Sequence, residues 1–595
     1  MSFSAPPLFA AWRQAWRAGY TLERLRGDLV AGLTVGIIAI PLAMALAIAV
    51  GVPPQHGLYT VLVAAPLIAL TGGSRFNVSG PTAAFVVILL PITQQYGLGG
   101  LLLCTMLAGL ILIALGLMRA GRLIQYIPYP VILGFTAGIG VVIATLQLKD
   151  LLGLTTAGHA KHYIEQLGEL VVALPSAHLG DGIIGAACLA VLIAWPRWVP
   201  RVPGHLVALL VGALLGLAME RGGWPIATLG ERFSYVVDGI AYPGIPPFLP
   251  SFDWPWNLSD SQGHGLVLSY DLFRQLLGPA FAIAMLGAIE SLLCAVVADG
   301  MTGSKHDPNA ELMGQGLGNL VAPLFGGITA TAAIARSATN VRSGATSPLA
   351  AIIHSLVVLV AIVLLAPLFS YLPMAALAAL LVMVAWNMSE AGHVLHTLRI
   401  APRSDVLVLL TCLSLTVLFD MVMAVAVGLL LAAGLFIKRM SELTDSAELP
   451  RHVHKALLDM PEHVRCYAIR GPLFFGAAEK ALDVLRKFDP GVRVVVVEMS
   501  AVPMLDMTAL AAFENILRDY RKQGIGLILV ATAPRVRLKL RRAGIHREQR
   551  QLAYVQTLGT GAGQERALVG QSYGPLKTRP TCGEGIYPRW VAKQP

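Results

Sequence analysis

Apolar stretches long enough to cross a bilayer recur from about Asp28 to Lys438, and a helical span needs roughly 20 such residues. Helix is the form these stretches must take, because an unpaired backbone N–H or C=O finds no water in hydrocarbon. Candidate spans begin near Leu29, Leu58, Pro81, Leu98, Leu123, Ile183, Leu206, Gln275, Leu312, Thr331, Pro348, Leu372, Val406 and Met421, fourteen in all. Only 13% of the residues are charged and 56% are hydrophobic, against roughly 25% charged in an ordinary soluble domain. A cytosolic enzyme, a secreted disulfide scaffold and a disordered chain are excluded.

Basic residues test the topology. With the N-terminus in the cytosol, fifteen Lys and Arg fall on inside segments and five on outside ones, with Arg336 left inside a span. That excess supports fourteen spans with both termini cytoplasmic, and a bacterial inner membrane is the expected location. Trp12, Arg13, Trp16, Arg17, Arg24 and Arg26 precede the first span. Trp and Arg at this spacing predict an interfacial amphipathic helix touching membrane lipid.

Charge density divides the chain. Residues 1–440 hold 21 Lys+Arg and 19 Asp+Glu, whereas residues 441–595 hold 23 and 15 in about a third of that length. The expected organisation is a segment 1–27, a membrane domain 28–440, a soluble domain with its linker 441–558, and a tail 559–595 of disordered composition. The net charge of +10 lies mostly in the second part. A domain beside an anionic leaflet accounts for it, and no nucleic-acid partner is implied. Six cysteines without a CxxC pair suggest neither a metal site nor a disulfide framework, and no cofactor is expected.

Two stretches echo each other. Gly72-Gly73 leads through Ser79-Gly80-Pro81-Thr82-Ala83-Ala84 into the third span, and Gly326-Gly327 leads through Thr331-Ala332-Ala333 to Arg336 in the tenth. Seven spans per repeat make these equivalent and invert the second copy. Interrupted segments at matching places in inverted halves point to a transporter site. Pro81 suits a first helical turn. Ser79 is the expected cap of one helix, and Thr329 or Thr331 of the other. Facing helix N-termini then form an anion site, with small alanines giving the ligand room. The expected substrate-binding set is Ser79, Gly80, Pro81, Thr82, Ala83, Thr331, Ala332, Ala333 and Arg336.

Glu290 and Arg336 stand out as charges well inside predicted spans, where an ionisable group is a functional candidate by default. Glu290 has two readings: the group that carries a coupling proton, or a structural ion-pair partner of Arg336. A sodium site is a third. Asp28, Asp299, Asp405 and Asp420 lie near span ends and are expected to be solvated or capping, and His354 to be structural.

The membrane part resembles the SulP anion-transporter family. The resemblance rests on Pro54-Gln55-His56-Gly57-Leu58-Tyr59-Thr60, Asn77-Val78-Ser79-Gly80-Pro81-Thr82-Ala83, Gly287-Ala288-Ile289-Glu290-Ser291-Leu292-Leu293 and Ala335-Arg336-Ser337-Ala338-Thr339-Asn340. It covers about residues 20–560. It implies a seven-plus-seven inverted repeat, substrate between spans 3 and 10, and contributions from spans 1 and 8. Sulfate permeases commonly show Pro-Gln in span 1, where this chain has Pro41-Leu42. Val35 to Ala45 and Val384 to Glu390 look most like the bacterial aerobic C4-dicarboxylate branch. The expected function is therefore proton-coupled uptake of succinate, fumarate or aspartate by a homodimer. The alternatives are a sulfate or bicarbonate transporter of the same family, or a passive anion channel.

Beyond Glu462 the pattern alternates between strand and helix. Val494-Val495-Val496-Val497 and Ile525 to Val530 read as buried strands around a helix from Thr508 to Lys522. The segment resembles a STAS domain. In related soluble STAS proteins a phosphorylatable Ser follows the Asp of the loop before that helix. Here Met507 follows Asp506, which leaves Asp506 or Thr508 as a helix cap. No nucleophile–base pair, metal cluster or phosphate-binding loop supports an enzyme.

Overall fold

The computed structural model describes residues 8–557 except 125–126, 157–162, 200–201, 238–239, 259–264, 420, 451, 453–454, 459, 487–490, 547 and 549–550. The expected disordered tail 559–595 and the span-end residue Asp420 lie outside the described residues. The chain divides into two compact units, Met1–Ala432 and Ala433–Pro595.

The first unit is mostly helical and apolar. After α1 (Ala10–Arg17) come α2 (Leu22–Ala49), α3 (Pro54–Thr71), β1 (Ser79–Gly80), α4 (Val86–Leu117), α5 (Tyr129–Leu151), α6 (Leu179–Trp198) and α7 (Gly204–Arg221). The second half holds α8 (Tyr270–Thr302), α9 (Pro308–Val321), β2 (Thr331–Ala332), α10 (Ile334–Arg342), α11 (Leu349–Phe369), α12 (Met374–Ser389), α13 (Arg403–Leu418) and the start of α14 (Met421–Glu442), whose residues from Ala433 on fall in the second unit. Each of the fourteen candidate segments contains one of these helices, the third and fourth being the two parts of α4. Gly97, at φ 68°, joins those two parts, a conformation that glycine adopts without steric cost. Among the described residues, nine helices are long and apolar enough to cross a membrane by length and composition. Pro41 lies inside α2 without ending it.

Helix partners recur in matched sets. α2 packs on α11 as α8 does on α4, α3 on α11 as α9 on α4, and α5 on α13 as α12 on α6. Exchanging the first seven segments for the last seven converts each pair into its mate. The centre of this exchange is the antiparallel pairing of β1 with β2, Ser79 opposite Ala332 and Gly80 opposite Thr331.

Close helix crossings depend on missing side chains. A Cβ at Gly316 would stand 2.7 Å from the Gly109 carbonyl oxygen, and one at Gly109 would stand 2.8 Å from that of Gly316. The axes of α4 and α9 therefore meet backbone to backbone, the small-residue packing that membranes favour where no hydrophobic force draws helices together.

The second unit is a small α/β domain. Its five strands are β3 (Asp445–Glu448), β4 (Val464–Arg470), β5 (Val494–Glu498), β6 (Gly526–Val530) and β7 (Leu552–Val555), hydrogen-bonded in that order. β3 runs antiparallel to β4, and all later neighbours are parallel. Val495 and Val497 enter one core with Phe513 and Leu517, while Val494 and Val496 enter another with Leu457 and Met460. Both faces are covered, so the strand reads as a continuous apolar run. α15 (Met507–Gln523) lies between β5 and β6, and α16 (Pro534–Arg542) follows β6. The Asp506 side chain accepts from the Ala509 N–H and caps α15, one of the two caps expected there.

Gly316→Val should disturb the α4–α9 crossing, since overpacking costs about 1–3 kcal/mol. Thermal unfolding in detergent should show a clearly lowered midpoint. Gly300→Ala, in α8 with nothing within 4 Å of its added Cβ, should leave the midpoint unchanged. Equal midpoints for both variants would refute the crossing argument.

Candidate functional site

The two strands place short extended segments inside the membrane unit, where every backbone group needs a partner. Ser79, Thr331 and Ala332 are each at most 1% exposed. Besides the strand pairing, the Ala333 N–H donates to the Val78 carbonyl at 3.1 Å. The Ser337 hydroxyl accepts from the Val78 N–H at 2.9 Å.

Helix begins slightly later than the sequence suggests. Thr82 precedes a single 3₁₀ turn, Ala83–Phe85, that runs into α4. Pro81 therefore lies in the extended approach and not in the first turn. α10 begins at Ile334, with Ala333 at its N-cap position, and neither helix has a side-chain cap. The expected capping residues are engaged elsewhere. Ser79 accepts from Gln315 Nε2 at 3.0 Å, Thr331 donates to the Gly287 carbonyl at 3.1 Å, and Thr329 pairs with Thr105 at 2.7 Å. First-turn N–H groups without side-chain caps are free to meet a ligand.

A cavity of about 300 Å³ opens beside these helix starts. Of the expected residues, Thr82, Ala83, Ala333, Arg336 and Glu290 line it. Ser79, Gly80, Pro81, Thr331 and Ala332 do not. Val35, Ile38 and Leu42 of α2 and Leu286, Ile289 and Leu293 of α8 form apolar walls, while Thr136, His205, Asn387 and Glu390 add polar groups.

Arg336 is 4% exposed. Its Nη2 donates to the Pro81 carbonyl, and its Nη1 has no hydrogen-bond partner. A Cβ at Gly80 would stand 2.4 Å from that Nη1, so glycine there lets the guanidinium lie against the strand. The Thr82 hydroxyl donates to Glu290 Oε2 at 3.0 Å. Among the described ion pairs none within 4.0 Å joins Glu290 to Arg336, although both side chains line the same cavity. Both groups hold the same approach segment, Arg336 at the Pro81 carbonyl and Glu290 at the Thr82 hydroxyl.

Three further residues carry the site and escape the sequence reading. Glu311, Gln315 and Asn319 follow one face of α9 at four-residue spacing, each at most 1% exposed. Glu311 Oε2 accepts from the N–H groups of Gly73 and Ser74, both at 3.0 Å. Its Oε1 accepts from Asn77 Nδ2 at 2.8 Å and Gln315 Nε2 at 3.2 Å. Asn319 accepts from the Ala330 N–H and donates to its carbonyl, both at 2.8 Å. One helix face thus holds the approaches to both strands. The signal was a polar residue on every fourth position of an otherwise apolar, glycine-rich helix. Asp28 was expected to be solvated or capping; it is fully buried and accepts from the N–H groups of Thr346 and Ser347 at 2.6 and 3.1 Å.

Residues 25–412 match the sulfate permease family, and residues 456–557 match the STAS domain. YvdB of Bacillus subtilis, whose name assigns it to sulfate transport, is 40% identical over 528 residues, covering 89% of this chain and 95% of that protein. The bicarbonate transporter BicA of Picosynechococcus is 29% identical over 539 residues, 87% of this chain and 90% of that one. Among solved structures, that of SLC26A9 matches with a TM-score of 0.79 at 17% identity, covering 94% of this chain and 93% of that one, a likeness of fold. The transmembrane domain of a cyanobacterial bicarbonate transporter BicA matches with a TM-score of 0.57 at 28% identity, over 70% of this chain and 99% of that one.

Two substitutions probe the site. Ala333→Phe should fill the cavity and weaken anion binding at least about tenfold, while the protein remains monodisperse; unchanged affinity would remove the cavity from consideration. Glu311→Gln replaces an acceptor of four hydrogen bonds by a group with its own donors. Bonds to a charged group contribute about 1.5–3 kcal/mol, so a marked fall in thermal midpoint is expected, larger than for Gln315→Ala.

Proposed function

The chain belongs to the sulfate permease family, and from that premise we propose that it is a secondary active transporter of a small inorganic oxyanion, sulfate or bicarbonate. The observation that carries this reading is the buried Arg336 guanidinium, which lines the cavity with Nη1 unpartnered. A buried cationic donor without a partner is costly, and an anion in the cavity supplies the missing acceptor. The helix starts at Ala83 and Ile334 add N–H groups and favourable dipoles. Relatives named for sulfate and bicarbonate favour an inorganic substrate, and they displace C4-dicarboxylates as the leading reading. One observation keeps an organic anion as a second reading: the cavity of about 300 Å³ has largely apolar walls and exceeds what a small oxyanion fills.

Coupling is assigned to Glu290. Its carboxylate faces the same cavity as the anion, and two negative charges there repel each other. Proton uptake by Glu290 removes that repulsion, so proton and anion each promote binding of the other. Symport is the outcome. The working assembly is a homodimer in a bacterial inner membrane, with both termini cytoplasmic. The second domain, taken from about residue 441, supports assembly and leaves substrate choice to the membrane domain.

The deciding experiment offers labelled bicarbonate, sulfate and succinate to purified protein in liposomes, with and without an imposed proton gradient. Uphill accumulation of an inorganic anion is expected. Passive equilibration alone would identify a channel, and preference for succinate would restore the organic reading. Arg336→Gln should abolish uptake of every anion tested. Glu290→Gln should still exchange anion but lose gradient-driven accumulation. Full proton-driven accumulation in that variant would rule out Glu290 as the coupling group. Truncation after Arg439 should change rate or expression and keep the rank order of substrates.

A further inference from the structure

The helix that precedes the first span presents two different faces. α1 turns Ala10, Ala11 and Ala15 inward and leaves Arg13, Trp16 and Arg17 exposed, Trp16 at 62%. Eight residues are too few for a stable isolated helix, so neighbours must hold it. The Phe9 N–H donates to the Thr71 carbonyl at 3.3 Å and the Ala11 N–H to the Gly72 carbonyl at 3.4 Å. Trp12, Trp16 and Tyr20 stack at 5.9 and 5.7 Å between ring centroids. Arg24 Nη1 donates to the Ala18 and Gly19 carbonyls at 2.9 and 2.6 Å and closes the C-terminal end. The Tyr20 hydroxyl donates to Asp28 at 2.6 Å. Burial and the Asp28 hydrogen bond push the Tyr20 phenol up to about 12, so it remains a neutral donor at working pH.

The position of α1 relative to the bilayer follows from α2. Apart from Leu22 at its first position, its exposed apolar residues begin at Leu29, Val30 and Leu33, past the charged run Glu23, Arg24, Arg26 and Asp28, so continuous hydrocarbon contact starts about there. Arg13, Trp16 and Arg17 lie just outside that band. Indole at the polar margin and guanidinium among phosphates are the positions these side chains favour. We propose that the Arg13–Trp16–Arg17 face of α1 docks on anionic phospholipid headgroups, and that the docked helix steadies two loops, the one that leads to β1 and the one that joins α10 to α11. One link runs from Ala11 to Gly72, whose neighbours Gly73 and Ser74 are held by Glu311. The other runs from Tyr20 through Asp28 to Thr346 and Ser347, at the entry to α11. Lipid occupancy therefore raises the transport rate.

The test uses the full chain in phosphatidylcholine vesicles with and without phosphatidylglycerol. Its rate readout rests on the anion transport proposed above, so phosphatidylglycerol retained per chain in native mass spectrometry is measured in parallel. Two arginines at about 1 kcal/mol each near an anionic surface correspond to about thirtyfold in partition of α1. Uptake by the unaltered chain should rise severalfold with phosphatidylglycerol. Arg13→Gln/Arg17→Gln should keep the phosphatidylcholine rate, lose the rise and retain less of the lipid. Arg13→Lys/Arg17→Lys should keep the rise. A rate and a lipid retention that do not differ between the unaltered chain and the Gln variant overturn the proposal, as does loss of the rise in the Lys variant. A difference in lipid retention with no anion moved in any vesicle leaves the surface standing and defeats the transport reading instead.

Discussion

Four donors converge on one buried carboxylate, and the centre of the membrane unit depends on that convergence. Glu311 holds Gly73, Ser74, Asn77 and Gln315 at 2.8–3.2 Å, and through Gln315 it reaches Ser79 in β1. An extended segment cannot satisfy its own backbone as a helix does. A break of two helices at the same depth is tolerable only where each break completes the other. The β1–β2 pairing does this for the strands, and the α9 face does it for their approaches. A single carboxylate with acceptors alone suits this task, since each oxygen takes two donors.

The periodic features were readable in the sequence. Each of the fourteen segments picked out by hydropathy holds a helix, and the continuous valine run of β5 announced a strand buried on both faces. The doubled glycines before spans 3 and 10 announced the matched breaks. Their details were less legible, because a cap and an extended residue share the same residue types. Ser79 and Thr331 read as caps, yet both side chains turn to neighbouring helices that local sequence does not reveal. Pro81 fits a first helical turn and fits an extended approach equally well. Glu311 escaped notice because it stands only one turn inside a short helix, where a charge resembles an ordinary flank residue. Three of its four partners are more than 200 positions away.

Substrate identity was the least legible. Fold and site position depend on glycines, small residues and buried polar groups, which transporters of different anions share. The stretches Val35 to Ala45 and Val384 to Glu390 pointed to a dicarboxylate branch. Apart from the polar Asn387 and Glu390, their cavity-lining members are Val35, Ile38, Leu42, Val384 and Met388, apolar side chains that set volume and contribute no hydrogen bond. Such residues constrain size, and they discriminate between small anions weakly compared with a buried group that must find a partner.

In the proposed function that unsatisfied group is what selects for charge. Gly80 admits the Arg336 guanidinium against the strand, and the Pro81 carbonyl holds one of its nitrogens while another faces no acceptor. A neutral solute offers too little to offset stripping its own hydration, and a cation is repelled. An anion gains a charge-assisted hydrogen bond and removes the cost of the orphaned donor in one step. Glu290 sets the opposite condition. Held by Thr82 on the same cavity, it would, under the proposed coupling, disfavour an anion while charged and cease to do so once protonated. In the proposed mechanism Arg336 thus makes an anion necessary, and Glu290 makes its arrival conditional. Because Thr82 and Pro81 are adjacent in one approach segment, both conditions act on the same few backbone atoms.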